Sequence, residues 1–157
     1  MKANHIMTKD LVVCHPDQTV GEVIDLLRGK SFRVLPVVDK NNKILGAVNL
    51  LGLVSKFVPE YLITGDLTSI SYAPDMGVLR KQYTATLDRK VSDIMDRDPT
   101  VVRESDSLLS VTATLITYDR FEYAFVADKK NVLLGLIAAS DILRCLSKFD
   151  SEVLFDA

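Results

Sequence analysis

The sequence predicts a mixed α+β protein made of two pseudo-symmetric units, each with the order strand, helix, strand, strand, helix, packed as one body. The first observation behind this prediction is a junction at which a short apolar strand runs into a helix, at 44–54 and again at 133–143. The second is that the junctions lie in register, because Gly135 follows Gly46 by 89 positions. The third is the alternation of short β-type runs with helical apolar spacing, which is typical of small sheets covered by helices.

Identical residues extend the repeat beyond the two glycines. At the offset of 89 the matched pairs are Phe32 and Phe121, Val37 and Val126, Asp39 and Asp128, Lys40 and Lys129, and Leu45 and Leu134. Further upstream the offset falls to 88, where Ile6-Met7 matches Ile94-Met95, and one inserted residue near Asp119 explains the change. We therefore expect a first repeat over 4–62, a linker over 63–89, a second repeat over 90–149 and a C-terminal tail over 150–157.

Caps, breakers and turn residues place the elements of the first repeat. In chain order, these are a strand over 11–14, a helix between Thr19 and Gly29, a strand over 34–38, a strand over 43–48 and a helix over roughly 50–62. Thr19 and Glu22 form a capping box that begins the first helix, and Gly29 ends it. Proline cannot donate to a β-ladder, so Pro16 ends the first strand and Pro36 confines the second to a short or edge position.

The second repeat follows the same order. Its elements are a turn of helix over 91–95, a strand over 100–102, a helix capped by Ser107, strands over 123–127 and 133–137, and a helix capped by Ser140-Asp141. Residues 65–89 have no repeat partner, and their Gly, Pro, Ser and Thr content favours a linker. Its aromatic residues indicate that it docks on the body, with a turn or two of helix near 76–83.

Composition excludes several classes of protein. The net charge of −2 gives no basic footprint for nucleic acid or anionic membrane, and no run reaches transmembrane length. The N-terminus lacks the apolar core of a signal peptide, and Cys14 and Cys145 lack metal-type spacing, so we expect reduced thiols in a cytoplasmic protein. The two histidines, His5 and His15, have no ligand or catalytic partner motif, so we expect no enzyme activity, metal or required cofactor.

The chain resembles a tandem pair of cystathionine β-synthase (CBS) domains, often called a Bateman module. The resemblance covers about 4–62 and 90–149, and rests on the repeated element order, the run Leu-Pro-Val-Val-Asp at 35–39 and the spacing from Gly135 to Asp141. It implies an adenine nucleotide or S-adenosylmethionine in a cleft between paired units. In the family's motif, an Asp accepts hydrogen bonds from the ribose hydroxyls and a Thr or Ser lies by the phosphate.

The two repeats keep different parts of that motif. In the second repeat Asp141 provides the ribose carboxylate, but Ala138 replaces the hydroxyl residue and Ser140 lies two places later. In the first repeat Asn49 stands at the hydroxyl position, and Gly52 offers no side chain where the carboxylate belongs. The resemblance therefore implies one site per chain, with these candidate ligand residues: Asp141, Ala138, Leu136, Ser140, Thr8, Val12, Val13, Phe32, Arg33 and Val34.

Two of these residues have an alternative interpretation. Phe32 can stack on a purine or belong to the core, and Arg33 can contact phosphate or be a solvated edge residue. Glu122 holds the place in the second repeat that corresponds to Arg33, and it would repel a phosphate there. This pattern favours AMP, adenosine or S-adenosylmethionine over ATP.

Two functional hypotheses follow. The first is a stand-alone regulatory module that binds AMP, ADP, ATP, adenosine or S-adenosylmethionine and signals to an effector protein in trans. The alternative is a ligand-free structural or interaction module. We also expect a homodimer built on helix faces that include Val54 and Leu143, unless the linker or the tail residues 153–155 cover these faces.

Overall fold

The computed structural model of the chain describes residues 1–30, 32–60, 76–118 and 122–153, with side chains as far as residue 149. The helices are α1 (Ala3–Ile6), α2 (Val20–Leu27), α3 (Leu50–Ser55), α4 (Met76–Thr86), α5 (Val91–Ile94), α6 (Leu108–Thr117) and α7 (Ala139–Val153). The strands are β1 (Val34–Val38), β2 (Ile44–Asn49), β3 (Val101–Arg103), β4 (Tyr123–Ala127) and β5 (Leu133–Ala138). The predicted mixture of helices and short strands is confirmed.

Several predictions fall outside the described residues. These are the end of the predicted helix at 61–62, most of the linker, over 63–75, and the covering of helix faces by the tail residues 153–155. Within the described residues, α7 continues to Val153 and therefore enters the segment predicted as a tail.

The chain forms two compact units that do not coincide with the sequence repeats. We call one the Asp141 unit (Met1–Leu11, Val38–Leu45 and Asp98–Ala157) and the other the Cys14 unit (Val12–Val37 and Gly46–Arg97). The opening segment of each repeat thus belongs to the unit that carries most of the other repeat. The repeat boundaries at 62 and 90 stay a prediction from sequence.

In the Cys14 unit the predicted strand over 11–14 is wrong. Cys14 makes one parallel bridge to Val37, with its N–H donating to the carbonyl of Pro36 at 3.0 Å. Pro36 has no N–H to return, and Pro16 follows two residues after Cys14, so the ladder cannot extend in either strand. Strands β1 and β2, most of whose residues belong to this unit, form a two-stranded sheet.

The helix predicted over 50–62 is also shorter than expected, because α3 ends at Ser55. Pro59 has no N–H to donate to the carbonyl of Ser55, four residues earlier, and it disfavours helical backbone at Val58, so the helix cannot continue through this segment. Helix α4 is longer than predicted and extends to Thr86. Its Tyr83 ring forms a T-shaped contact with the Phe57 ring at a centroid distance of 5.4 Å, which holds this part of the linker against the rest of the Cys14 unit.

Two predicted N-caps agree with the sequence, those of α2 and α6. The Thr19 side chain accepts a hydrogen bond from the Glu22 N–H at 3.2 Å, and Ser107 accepts one from the Ser110 N–H at 3.1 Å. Gly29, just after α2, has a φ of 72°, a left-handed conformation that favours glycine.

The Asp141 unit contains a three-stranded sheet in which β4 lies between β3 and β5. Strand β3 runs parallel to β4, and β5 runs antiparallel, with Phe125 opposite Leu136. Helix α1 was not predicted, although its counterpart α5 was. The core cluster of this unit consists of Ala3, Val102, Val111, Ala124, Val126, Ile137 and Ile142.

The two repeated glycines lie where a second segment of backbone pairs with a strand. Thr8 forms an antiparallel bridge with Leu136 of β5, through two backbone hydrogen bonds of 2.8 and 2.9 Å, and Asp96 forms a matching bridge with Ala47 of β2. A Cβ atom on Gly135 would lie 2.8 Å from the Thr8 carbonyl oxygen, and one on Gly46 would collide with the Asp96 carbonyl. Glycine at both positions is therefore required by a close backbone approach.

Cys14 is completely buried, and this burial raises the pKa of its thiol to about 12, from a usual value of 9.0. An unfolded chain therefore ionises Cys14 at a lower pH than the folded chain does. The stabilisation from the buried neutral thiol should be complete below pH 9 and decrease by about 1.4 kcal/mol for each pH unit above it, until the folded thiol ionises.

We expect this loss in denaturant titrations of wild type and Cys14→Ala, because their difference in unfolding free energy should shrink above pH 9. Cys145→Ala, at a half-buried thiol, is the matched control and should follow wild type. If the difference in unfolding free energy between wild type and Cys14→Ala stays constant from pH 8 to 10.5, the raised pKa of the Cys14 thiol is contradicted.

Candidate functional site

The candidate site is built around Asp141 in the first turn of α7. Its side chain is 10% exposed, and both carboxylate oxygens have a partner. Oδ2 accepts a hydrogen bond from the backbone N–H of Ala138 at 2.8 Å, and Oδ1 lies 3.1 Å from a guanidinium nitrogen of Arg144. The carboxylate is thus fixed in orientation by a backbone donor and by a cation.

The predicted N-cap at Ser140-Asp141 is wrong. Helix α7 begins at Ala139, so Ser140 is an exposed residue of the first turn and Ala138 precedes the helix. The Asp141 carboxylate reaches back to the N–H of Ala138, as the acidic residue of a capping box does. The helix starts early because Ala139 continues directly from β5 and donates its N–H to the Glu122 carbonyl at 3.1 Å.

Asp141 has acceptor capacity left over. A carboxylate offers about four lone-pair sites, and the two recorded contacts use two of them. Binding of the two hydroxyls of one ribose through the remaining sites stays a prediction.

Four other candidate residues belong to the same compact unit. Leu136 and Ala138 share the half-buried face of β5, and Thr8 is bound through its backbone to Leu136. Ser140 is exposed on α7. The structure therefore places Thr8 beside Leu136 and Ala138 of β5, the strand that leads into the helix that carries Asp141.

The other five candidates lie in the Cys14 unit. Val12 and Phe32 pack against its core, Val13 is half-buried, and Val34 is buried in β1. The packing of Phe32 agrees with its alternative interpretation as a core residue. Arg33 is exposed, and its carbonyl accepts a hydrogen bond from the Leu50 N–H at 3.0 Å. Ligand contact by these residues stays a prediction.

The equivalent position of the first repeat has no carboxylate. Gly52 stands there, and its N–H donates to the Asn49 side chain at 3.1 Å. Each repeat thus keeps one half of a capping box: the first has the N-cap side chain, and the second has the acidic residue three positions later. This difference supports the predicted inequality of the two repeats.

A cavity of about 280 Å³ lies beside Asp141, between α1 and α7. It is lined by Met1, His5, Ile6, Asp141, Arg144, Cys145, Lys148 and Phe149. The sequence interpretation missed His5, Arg144 and Lys148. The available signal was helical spacing, since residues three, four, seven and eight positions after Asp141 share its helix face.

The described ranges contain neither a metal-binding cluster nor a membrane-spanning helix. Residues 1–30, 32–60, 76–118 and 122–153 contain no group of three His, Cys, Asp or Glu side chains able to hold a metal ion. In the same ranges, no helix combines the length and the apolar character needed to cross a membrane.

Comparison with known proteins gives a family match over both repeats. The model of the CBS domain family matches residues 3–58 and 91–148, which together exceed half of the chain. The chain is also 28% identical to the chloroplastic CBS domain-containing protein CBSX2 of Arabidopsis thaliana over 151 residues, covering 92% of this chain and 62% of CBSX2. It is 27% identical over 145 residues to inosine-5'-monophosphate dehydrogenase of Methanocaldococcus jannaschii, covering 91% of this chain and 23% of that enzyme.

Solved structures agree with the fold. The crystal structure of CBSX2 superimposes with a TM-score of 0.75 at 25% identity, covering 96% of each chain. A second structure, of CBSX2 in complex with AMP, superimposes with a TM-score of 0.71 at 24% identity, covering 95% of this chain and 98% of that one. The chain spans less than two thirds of the length of the two curated relatives.

Proposed function

This chain belongs to the CBS domain family, and from that membership we propose that it is a regulatory module that binds an adenosine-containing ligand at Asp141. The ligand classes are AMP, ADP, ATP, adenosine and S-adenosylmethionine. Binding biases the conformation of the module and is transmitted to an effector protein in trans. The proposal includes no catalytic step.

The observation that carries the proposal is the burial and fixed orientation of the Asp141 carboxylate. It is nearly buried, oriented by Ala138 and Arg144, and still able to accept two hydroxyl donors. Gly52 provides no such group in the first repeat, which supports one site per chain. The AMP bound to CBSX2, a relative with the same fold, supports an adenine nucleotide as the first compound to test.

Thermal unfolding tests the proposal directly. A ligand present at a hundred times its dissociation constant stabilises the folded state by about 2.7 kcal/mol. For a chain of 157 residues this corresponds to a rise in Tm of about 5–10 °C. AMP, ADP, ATP, adenosine and S-adenosylmethionine should be compared with GMP, which keeps the ribose and phosphate but changes the base. A flat response to all five adenosine compounds would contradict the proposal.

The second candidate function is a structural module that acts through dimerisation, and exposed apolar side chains on two helices favour it. Leu143 on α7 is 69% exposed, and Leu51 and Val54 on α3 are 78% and 50% exposed. Large apolar side chains exposed on neighbouring turns are typical of an interface. We therefore propose a homodimer that buries these faces.

Light scattering should detect a dimer for wild type at micromolar concentration. Because a twofold interface repeats each substitution, Leu143→Glu and Val54→Glu should shift the population to monomer. Ala85→Glu, on the exposed side of α4, is the control and should stay dimeric. A monomeric wild type would rule out the dimer, whereas a dimer with no thermal response to ligand would favour the structural function.

A further inference from the structure

The turns that precede β2 and β5 each contain an asparagine in the same unusual backbone conformation. Asn42 has a φ of 62° and Asn131 a φ of 65°, and these are the two non-glycine residues with positive φ in the part of the chain that the structure describes. After glycine, asparagine and aspartate adopt this left-handed conformation most readily. The two positions are equivalent in the repeats, at the offset of 89, which indicates a shared role.

An aspartate three positions earlier shapes each turn. Oδ1 of Asp39 accepts two backbone N–H groups of its own turn, at 2.8 and 3.0 Å. Oδ1 of Asp128 accepts two in the other turn, at the same two distances. Such bonds from an aspartate side chain to the following backbone stabilise a tight turn. Each asparagine is therefore positioned by its own turn, whatever it contacts in the other repeat.

The two asparagines bind the opposite repeat in a reciprocal way. The side chain of Asn42 donates a hydrogen bond to the Leu133 carbonyl at 3.0 Å, and the N–H of Leu133 donates to the Asn42 carbonyl at 2.9 Å. The side chain of Asn131 donates to the Ile44 carbonyl at 3.1 Å, and the N–H of Ile44 donates to the Asn131 carbonyl at 3.1 Å. Four hydrogen bonds thus join the start of β2 to the start of β5, on either side of an antiparallel bridge between the two turns.

Asparagine is the residue type that meets both requirements of these positions. Glycine adopts the left-handed conformation but has no side chain to donate. Aspartate also adopts it, but an ionised carboxylate has only acceptors, and its partner here is a carbonyl oxygen. A turn by itself requires the conformation alone, so the side-chain bonds of Asn42 and Asn131 serve the contact between the repeats.

We propose that this contact is an interlock, formed by Asn42 and Ile44 with Asn131 and Leu133, that opens and closes as one element. All four residues belong to the Asp141 unit, although Asn42 and Ile44 come from the first repeat. The two pairs of bonds flank one bridge, so ordering the two turns serves both pairs, and losing one pair weakens the other. Opening the interlock releases the first-repeat segment Val38–Leu45 from the unit. The inference is independent of the proposed function, because it involves no ligand.

Amide hydrogen exchange of the full chain, followed residue by residue by NMR, tests the inference because it detects local opening. Asn42→Gly keeps the left-handed turn and removes the side-chain bond to Leu133. Since the interlock opens as one element, this variant should speed exchange of the Leu133 amide and of the Ile44 amide, each by about two- to tenfold. Asn131→Gly should speed the same two amides by a similar factor.

Two controls separate the interlock from other causes of faster exchange. Asn41→Gly makes the same change at the neighbouring exposed position of the turn and leaves the four bonds of the interlock in place, so both amides should exchange as in wild type. The Ala47 amide, which donates to the Asp96 carbonyl in the Cys14 unit, reports global unfolding. It should exchange at the wild-type rate in all three variants.

The effect on the amide across the bridge decides the outcome. If Asn42→Gly speeds the Leu133 amide alone and Asn131→Gly speeds the Ile44 amide alone, the two contacts are independent and the interlock is refuted. Unchanged exchange of both amides in either variant also refutes it. An equal acceleration by Asn41→Gly would show that turn flexibility causes the change, and it would overturn the proposal as well.

Discussion

Replacing Asp141 with alanine should abolish measurable binding of adenosine compounds while the protein stays folded. The substitution removes a charged acceptor for ribose hydroxyls, and losing such a hydrogen bond costs about 1.5–3 kcal/mol. This corresponds to a ten- to hundredfold loss of affinity for each of the two hydroxyl contacts, so titration calorimetry with AMP should detect no binding.

The same variant should lose about 1 kcal/mol of stability, because the N–H of Ala138 loses its acceptor. The ion pair with Arg144 adds little, since the Arg144 side chain is largely exposed. Asp106→Ala is the matched control, because the Asp106 carboxylate accepts a backbone hydrogen bond from Arg103 at 2.8 Å in the same unit. It should lose similar stability and bind AMP normally. Normal binding by Asp141→Ala would reduce Asp141 to a helix cap.

Adding one methyl group at Gly135 or Gly46 should destabilise the protein by about 1–3 kcal/mol. A Cβ at Gly135 meets Met7 side-chain atoms and the Thr8 carbonyl at 2.8 Å, and one at Gly46 meets the Asp96 carbonyl. Thr8 and Asp96 are each held by two backbone hydrogen bonds to the neighbouring strand, so neither segment can move aside without breaking those bonds. Chemical denaturation of Gly135→Ala and Gly46→Ala measures the loss.

Gly52→Ala is the control for these two variants. Its new Cβ would have no neighbour closer than 3.8 Å, and Gly52 lies within α3. Alanine is preferred to glycine inside a helix, so this variant should gain about 0.5–1 kcal/mol. An unchanged unfolding free energy in Gly135→Ala would contradict this prediction, because it would mean that the segment at Thr8 moves away from the new methyl group at no cost.

The sequence predicted those elements whose signals are local. Thr19 and Ser107 cap their helices as expected. Each hydroxyl accepts a hydrogen bond from the backbone N–H three positions later, so the cap depends only on neighbouring residues in the sequence. Strands β4 and β5 follow apolar runs bounded by turn residues at 128–131. The duplication made these assignments stronger, because an element assigned in one repeat is expected at the equivalent position of the other.

The errors arose where a distant residue decides the structure. The apolar run at 11–14 resembles a strand, but its partner presents Pro36, which has no N–H to donate. The exchange of opening segments between the repeats was not predictable from local patterns, because residues 1–11 contact β5 more than a hundred positions later. Gly46 and Gly135 indicate that another segment approaches each strand closely, but the sequence alone does not show which segment it is.

The candidate site was predicted in part. Asp141 was predicted as a ligand residue from the family resemblance, and the structure holds its carboxylate in a fixed orientation. Its contact with a ligand stays a prediction. The cavity beside Asp141 was missed because Arg144 and Lys148 resemble ordinary solvated residues on a helix. Helix α1 brings His5 to the same cavity from the other end of the chain.

The central claim is that each chain has one adenosine-type site and that Asp141 forms it. Titration of wild type with AMP, beside Asp141→Ala, tests this claim most directly, because calorimetry reports stoichiometry together with affinity. We predict about one AMP per chain for wild type and no measurable heat of binding for the variant. Two equivalent AMP molecules per chain, or the same stoichiometry in Asp141→Ala, would contradict the claim.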